Sequence, residues 1–155
     1  MDKLPERNQI EDKFKWQLED IYESNDLWEA DYKELEAKSD EFALYKGRLK
    51  ESGSILLEAL DASSYINRKI EKMYVYAHMR RDEDNANPKY QDMLMRVEFL
   101  ASDISAKMSF FEPEMLTISE ETLRGYIKSI PGMDLYTFVI EEQLRQKTHV
   151  LSDKE

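Results

Sequence analysis

The residues best suited to chemistry lie in one polar stretch, His78 to Asn85, which reads HMRRDEDN. A histidine beside arginines and carboxylates can hold a salt-bridged cluster, bind a ligand carboxylate or contribute to a metal site. We therefore take His78, Arg80 and Arg81 as candidate contact residues. A structural ion cluster is favoured over substrate contact, and substrate contact over a metal.

Two kinds of metal site can be compared with the spacing of this stretch. A zinc-binding His-Glu-x-x-His helix places two histidines four residues apart, whereas this chain has only His78 and His149. A calcium loop starting at Asp82 needs an oxygen ligand at its fifth position, glycine at its sixth and glutamate at its twelfth. The residues at these positions are Ala86, Asn87 and Met93. We therefore expect no catalytic residue, metal ligand or cofactor in this chain.

The polar stretch joins the two strongest helical patterns of the sequence. Apolar residues recur three or four positions apart on both sides of it, which places each set on one helix face. Asn87 followed by Pro88 is typical of a helix start, so the pattern predicts an antiparallel hairpin with its tip near 84–87. The two sets are Ile66, Ile70, Met73 and Ala77, then Tyr90, Met93, Val97, Leu100, Ile104, Met108 and Phe111.

The segment before the hairpin predicts one more long helix. Ser24 is a suitable cap, and apolar residues on a seven-residue repeat extend the helix to about residue 49. Residues 1–15 carry few apolar groups and predict an extended lead-in. The repeat comprises Trp28, Tyr32, Leu35, Phe42 and Leu49, and the side chains expected to pin the lead-in are Phe14, Trp16, Leu18 and Ile21.

The second helix is expected to reach Asp84, with a kink or break left open at 61–64. Pro113 should end the third helix, Ser119 should start a short one, and Pro131-Gly132 should stop it. The last apolar set is wider than one narrow stripe, so we expect apolar surface facing water. We expect either self-association as a homodimer through 133–148 or disorder there. This set comprises Leu135, Tyr136, Phe138, Val139 and Ile140.

Composition excludes several classes of function. The 155 residues carry a formal net charge of −11, which disfavours binding to nucleic acid or to anionic membranes. The chain lacks cysteine and has only four glycines and four prolines, which argues against thiol chemistry and a many-stranded fold. We therefore expect an all-α cytoplasmic protein without membrane or nucleic-acid partners.

Four segments in collinear order resemble the oligoendopeptidase F family of thimet-like zinc peptidases. YAHMRRDEDNANPKYQ, from Tyr76 to Gln91, resembles one family segment, and KLPERNQIEDKFKWQLEDIYESNDLWEAD resembles the N-terminal lead-in. SFFEPEML, from Ser109, and RQKTHVLS, from Arg145, are similar to two others. No single segment is a strong functional motif, but together they span nearly the whole chain.

The resemblance implies the N-terminal, non-catalytic region of a zinc oligopeptidase that hydrolyses short peptides. In that family this region walls the substrate channel, which makes His78, Arg80 and Arg81 candidates for contact with the channel or another domain. Zinc belongs there to a C-terminal catalytic domain that this chain lacks. Residues 1–111 would form an antiparallel long-helix hairpin or bundle, and 112–155 would start a second, truncated helical lobe. The implied partners are its own catalytic domain and short peptides. A free-standing helical adaptor is the alternative.

Overall fold

The structure, a computed structural model, describes Pro5 and residues 7–146. Every regular element in this part of the chain is helical, which confirms the predicted all-α fold. None of its helices is both long and apolar enough to cross a bilayer. The α-helices are α1 (Asn25–Ala43), α2 (Gly53–Glu83), α3 (Pro88–Met108), α4 (Phe111–Met115), α5 (Glu120–Ser129) and α6 (Thr137–Gln146). The 3-10 turns are Arg7–Gln9, Asp12–Phe14, Leu18–Asp20 and Met133–Tyr136.

The chain divides into two compact units, each built from two separate segments. The first comprises residues up to 37 together with 66–104, and the second comprises 38–65 together with the residues from 105 onward. Packing thus groups residues that are distant in sequence. The sequence-based boundary between residues 111 and 112 stays a prediction.

In the first unit, α1 packs against α2 and α3. Trp28 donates from Nε1 to the backbone carbonyl of Met73 at 3.1 Å, and Arg96 donates to both carboxylate oxygens of Glu29 at 2.7 and 2.8 Å. Near the tip, the Arg80 guanidinium lies 6.0 Å from the centre of the Tyr90 ring. Residue numbers thus increase along α3 while those of the neighbouring residues on α2 decrease. The two helices run antiparallel, which confirms the predicted hairpin.

Most of the predicted apolar residues of the hairpin are buried, while Ile70, Tyr90 and Met108 are partly buried. Burial of large aliphatic and thioether side chains drives helix pairing, because each removes apolar area from water. The buried members are Ile66, Met73 and Ala77 on α2 and Met93, Val97, Leu100 and Ile104 on α3. The predicted helix starts are also confirmed, since Asn87 accepts from the Lys89 N–H at 3.0 Å and Ser119 from the Thr122 N–H at 3.1 Å.

In the second unit, aromatic side chains and one carboxylate fix the turn after α1. The Phe42 ring lies 5.4 Å from that of Phe111, with their planes at 66°. The Glu114 carboxylate accepts the backbone N–H groups of Gly47 and Leu49 at 2.7 and 2.9 Å. Gly47 has φ of +81°, which other residues rarely adopt.

Two expected helix ends are wrong. Helix α1 ends at Ala43 rather than near residue 49, because the Glu114 carboxylate satisfies backbone donors that a continuing helix would bond internally. Helix α3 ends at Met108, and Pro113 lies inside α4 instead of ending α3. As the third residue of that helix, Pro113 needs no intrahelical N–H bond.

The possible break at 61–64 is absent, because α2 is continuous over 31 residues. Serine lowers helix stability by only a few tenths of a kcal/mol relative to good helix formers, about 0.5 kcal/mol at most. The apolar contacts on either side outweigh so small a cost.

The lead-in, predicted to be extended over residues 1–15, contains two 3-10 turns in its described part, Arg7–Gln9 and Asp12–Phe14. Leu18 is buried as predicted, whereas Phe14 and Trp16 are 71% and 50% exposed. Leu18 and Tyr22 are buried beside α1 and α2, whereas the exposed Phe14 ring lies 4.9 Å from the Lys13 ammonium. Pinning by Phe14 and Trp16 is therefore wrong.

Truncation of the α3 core face should destabilise the chain. Val97 and Ile104 are buried, with exposures of 0% and 3%, so changing either to Ala should lower the free energy of unfolding by about 1–4 kcal/mol. The exposed Glu98, changed to Ala, is the control and should cost under about 0.5 kcal/mol. Urea denaturation measures all three. Equal losses would mean that the face is assigned wrongly.

Two glycines give a second test, with opposite expected signs. A Cβ added at Gly53 would clash with Ile130 Cδ1 and lie 2.9 Å from the Tyr126 ring, so Gly53→Ala should cost about 1–3 kcal/mol through overpacking. Nothing lies within 4 Å of the corresponding position at Gly125, inside α5. Gly125→Ala should therefore stabilise by about 0.5–1 kcal/mol. Thermal melts that move in the same direction for both variants would contradict this packing.

Candidate functional site at the hairpin tip

Three side chains near the C-terminal end of α2 form one hydrogen-bonded group. His78 Nδ1 lies 3.0 Å from Asp82 Oδ2, and Arg81 donates from Nη2 to Asp82 Oδ1 at 2.8 Å. Arg81 Nη2 also lies 3.3 Å from His78 Nε2. The hydrogen bond from Arg81 lowers the pKa of Asp82, so this carboxylate stays charged near neutral pH. The His78 side chain is 40% exposed, so solvent and ligands can reach it.

Arg80 points away from this group into a part-buried ion cluster. Its guanidinium donates to Glu19 at 3.1 Å and to Glu83 at 3.2 Å, and only 13% of the side chain is exposed. The Glu83 carboxylate is 3% exposed and also pairs with Arg7. Burial opposes the charge of Arg80, but its hydrogen bonds to Tyr76 and the carboxylates raise its pKa. Arg80 therefore neutralises buried carboxylate charge.

Tyr76 links this ion cluster to α1. Its hydroxyl accepts from Arg80 Nε at 3.1 Å and donates to Asn25 Oδ1 at 2.9 Å. The ring of Tyr22 meets that of Tyr76 edge-on, with centroids 5.1 Å apart, and the Tyr22 hydroxyl donates to Asp31 at 2.7 Å. The network joins the segment before α1, the start of α1 and the end of α2, so it holds three elements in place.

The residues near the tip do not fit a metal site. Within the described residues, no three His, Cys, Asp or Glu side chains come together to hold an ion. Asp82, the first residue of the calcium spacing, is bonded to Arg81 and His78. Both ring nitrogens of His78 already have neighbours on α2, and His149 lies outside the described residues. The described side chains at the tip are therefore occupied with one another and do not form a recognisable set of zinc ligands.

The structure brings together two of the three candidate residues that the sequence indicates. His78 and Arg81 lie in one group, but Arg80 belongs to the neighbouring cluster with Glu19 and Glu83. The spacing of Arg80 and Glu83 is visible along a helix, whereas Glu19 lies 61 residues away in sequence. Contact of these residues with a channel or another domain stays a prediction.

Several known proteins are similar to this chain in sequence and in the arrangement of its helices. The family model described as Oligopeptidase F matches residues 114–155. Group B oligopeptidase PepB of Streptococcus agalactiae is 34% identical over 96% of this chain and 25% of its own length. Oligopeptidase PepF of Bacillus subtilis is 32% identical over 98% of this chain and 23% of its own. This chain thus spans about a quarter of these relatives.

Two solved structures agree with the sequence matches. The crystal structure of oligoendopeptidase-F from Enterococcus faecium has a TM-score of 0.76 and 32% identity, over 83% of this chain and 26% of that one. The crystal structure of a putative peptidase from Chlamydophila abortus has the same TM-score over 98% of this chain, at 24% identity, and supports the fold alone. This chain belongs to the oligopeptidase F family and corresponds to its N-terminal region.

The two neighbouring arginines provide a test of the ion cluster. Arg80→Met leaves the buried Glu83 with Arg7 as its remaining cationic neighbour, so we expect a loss of about 2–4 kcal/mol in unfolding free energy. Arg81→Met removes an exposed pair and should cost less than about 1 kcal/mol. Urea denaturation at neutral pH distinguishes them. Similar losses for both variants would show that Arg80 is no more important to the fold than Arg81.

Proposed function

We propose that this chain is the N-terminal, non-catalytic region of a zinc metallo-oligopeptidase that hydrolyses short peptides. The observation that carries the proposal is the collinear similarity, over nearly the whole chain, to about a quarter of proteins named as oligopeptidases. The TM-score of 0.76 to an oligoendopeptidase-F structure supports the same assignment. Hydrolase activity would belong to the full-length polypeptide, in the cytoplasm.

The chemistry of hydrolysis would come from the rest of that polypeptide. Zinc, held there, would polarise the peptide carbonyl and activate a water molecule. The described residues of this region contain no candidate set of metal ligands, and the sequence contains no His-Glu-x-x-His motif. The contribution of this region would be to bind and orient the peptide and to limit what reaches the catalytic domain.

This region would wall a narrow substrate channel. A wall must hold its shape, because selection by size fails if the wall yields to a larger substrate. The hairpin of α2 and α3 has the required packing, with fully buried residues such as Met73, Tyr76 and Val97. Folded proteins would be too wide to enter, whereas short extended peptides would reach the catalytic domain.

The exposed group at the tip is the best candidate for contact with a peptide or with the catalytic domain. We assign this contact to His78 and Arg81, whose side chains are 40% and 33% exposed. Arginine recognises carboxylates through paired hydrogen bonds, so Arg81 could exchange Asp82 for a carboxylate of a peptide or neighbouring domain. Arg80 would act by positioning α2, since its guanidinium is held by Glu19 and Glu83.

A free-standing helical adaptor is the alternative function. The observation in its favour is a pair of exposed apolar side chains one turn apart on α3, Met95 at 63% and Phe99 at 74% exposure. Such a pair can anchor a partner helix. The adaptor would bind a protein partner without any role in peptide hydrolysis.

A chimera tests the proposed function. We would replace the matching N-terminal quarter of Bacillus subtilis PepF with this chain and assay quenched-fluorescent peptides of increasing length with zinc present. We expect cleavage of short peptides but not of a folded protein, and no cleavage by this chain alone with or without zinc. A folded, zinc-loaded chimera that is inactive toward short peptides, while unmodified PepF cleaves them, would contradict the proposal and favour the adaptor.

A further inference from the structure

A cavity of about 560 Å³ lies in the first unit, lined by α1, α2 and the segment before α1. Its volume is within the range of about 300–1,000 Å³ that small-molecule sites occupy. The lining residues of each helix are spaced one, three or four positions apart, so they come from one side of that helix. The lining comprises residues 19–23, Leu27, Ala30 and Asp31 on α1, and Lys69 and Lys72 on α2.

Part of the charge in the cavity is already neutralised by neighbouring groups. The Lys69 ammonium pairs with Asp31, and the Tyr22 hydroxyl donates to the other oxygen of that carboxylate at 2.7 Å. Burial opposes the charge of Asp31, but these two hydrogen bonds lower its pKa. Glu19 pairs with Arg80 at 3.1 Å. These charged groups are therefore satisfied within the protein.

Three other charges of the cavity have no ion-pair partner in the part of the chain that the structure describes. The Lys72 ammonium lies 4.1 Å from the centre of the Tyr22 ring, and this cation–π contact holds it at the wall. Asp20 and Glu23 are exposed on the segment before α1 and form no ion pair with another described residue. One cation and two carboxylates thus border the same cavity without pairing with each other.

An apolar surface completes the lining. Leu27 is 48% exposed, and Ile21 and Ala30 border the same cavity. An aliphatic group placed against Leu27 would remove apolar area from water, which favours binding. The cavity therefore offers one small molecule an ammonium, two carboxylates and an apolar surface.

Exposed apolar residues also occur in the second unit. Leu135 and Phe138 are 79% and 77% exposed, which confirms the expectation that apolar side chains of this segment face water. Nothing in the described part of the chain identifies what covers them, so self-association through 133–148, or disorder there, stays a prediction. The cavity of the first unit differs, because its charges select the chemistry of a ligand.

We propose that this cavity binds a zwitterionic small molecule with an apolar side chain, the chemistry shared by free apolar amino acids and short apolar peptides. The ligand carboxylate would pair with Lys72 and its ammonium with Asp20 or Glu23, while its side chain would cover Leu27. Each charge of the ligand would then meet an opposite charge that the described residues leave without an ion pair. This inference does not depend on the proposed function, because binding to the cavity requires no catalytic domain.

A ¹H–¹⁵N NMR titration of the 155-residue chain tests the proposal. The zwitterionic probes are L-leucine and the dipeptide leucylleucine. We expect saturable shifts of the Glu23 and Lys72 amide signals, with a Kd on the order of 1 mM for the better probe. Tighter binding of leucine would identify an amino-acid site, and tighter binding of the dipeptide would identify a peptide site. N-acetyl-leucine amide lacks both charges and should bind at least about tenfold more weakly.

Substitution of Lys72 tests the role assigned to its ammonium. Lys72→Gln should weaken binding of the zwitterions about three- to fivefold, but should leave binding of leucine amide, which has no carboxylate, unchanged. Lys128→Gln on α5 is the matched control, since Lys128 is an exposed lysine outside the cavity, and it should change neither. Circular dichroism would check that both variants keep the helicity of the parent. Equal binding of the blocked and zwitterionic probes, or no saturable shift with either zwitterion, would overturn the proposal.

Discussion

The indole of Trp28 is the contact on which the three-helix arrangement of the first unit depends. Its side chain is fully buried, and its N–H reaches the Met73 carbonyl on α2. A buried donor without an acceptor costs about 1–3 kcal/mol, so α1 cannot slide along α2 without that loss. The other face of Trp28 meets the Arg96 guanidinium of α3 at 5.4 Å. The hydrogen bonds of Arg96 to Glu29 hold the guanidinium in position and raise its pKa, so it stays charged. One aromatic side chain thus sets the register of three helices.

The elements could be predicted from the sequence wherever the deciding information is local. Residues such as Met73, Val97 and Ile104 recur at helical spacing, and these positions are buried. The caps at Asn87 and Ser119 are equally local, because the side chain bonds its own helix start. The end of α1 could not be predicted, since it depends on a carboxylate more than 60 residues away. The exposure of Phe14 and Trp16 could not be predicted either, because tertiary packing buries Leu18 and Tyr22 instead.

A polar cluster at the hairpin tip could be predicted from the sequence, but the partners that each of its side chains binds could not. Adjacent arginines on a helix diverge by about 100°, and the structure gives them different roles. Arg81 stays with His78 and Asp82 near solvent, whereas Arg80 meets Glu19 from a segment that sequence proximity does not connect to it. The division explains how one short stretch can both stabilise the fold and offer an exposed group.

The carboxylate of Glu114 has a consequence for the order in which the chain acquires its structure. Because it accepts the backbone N–H groups of Gly47 and Leu49, the loop over 44–50 lacks these two bonds until α4 arrives. Contacts so distant in sequence form late, since the chain between them must lose its freedom first. The hydrogen bonds of these two amides therefore form only when α4 has docked against the loop. Protection of the Gly47 and Leu49 amides from hydrogen exchange therefore reports that α4 is docked. Loss of this protection reports that α4 has separated from the loop.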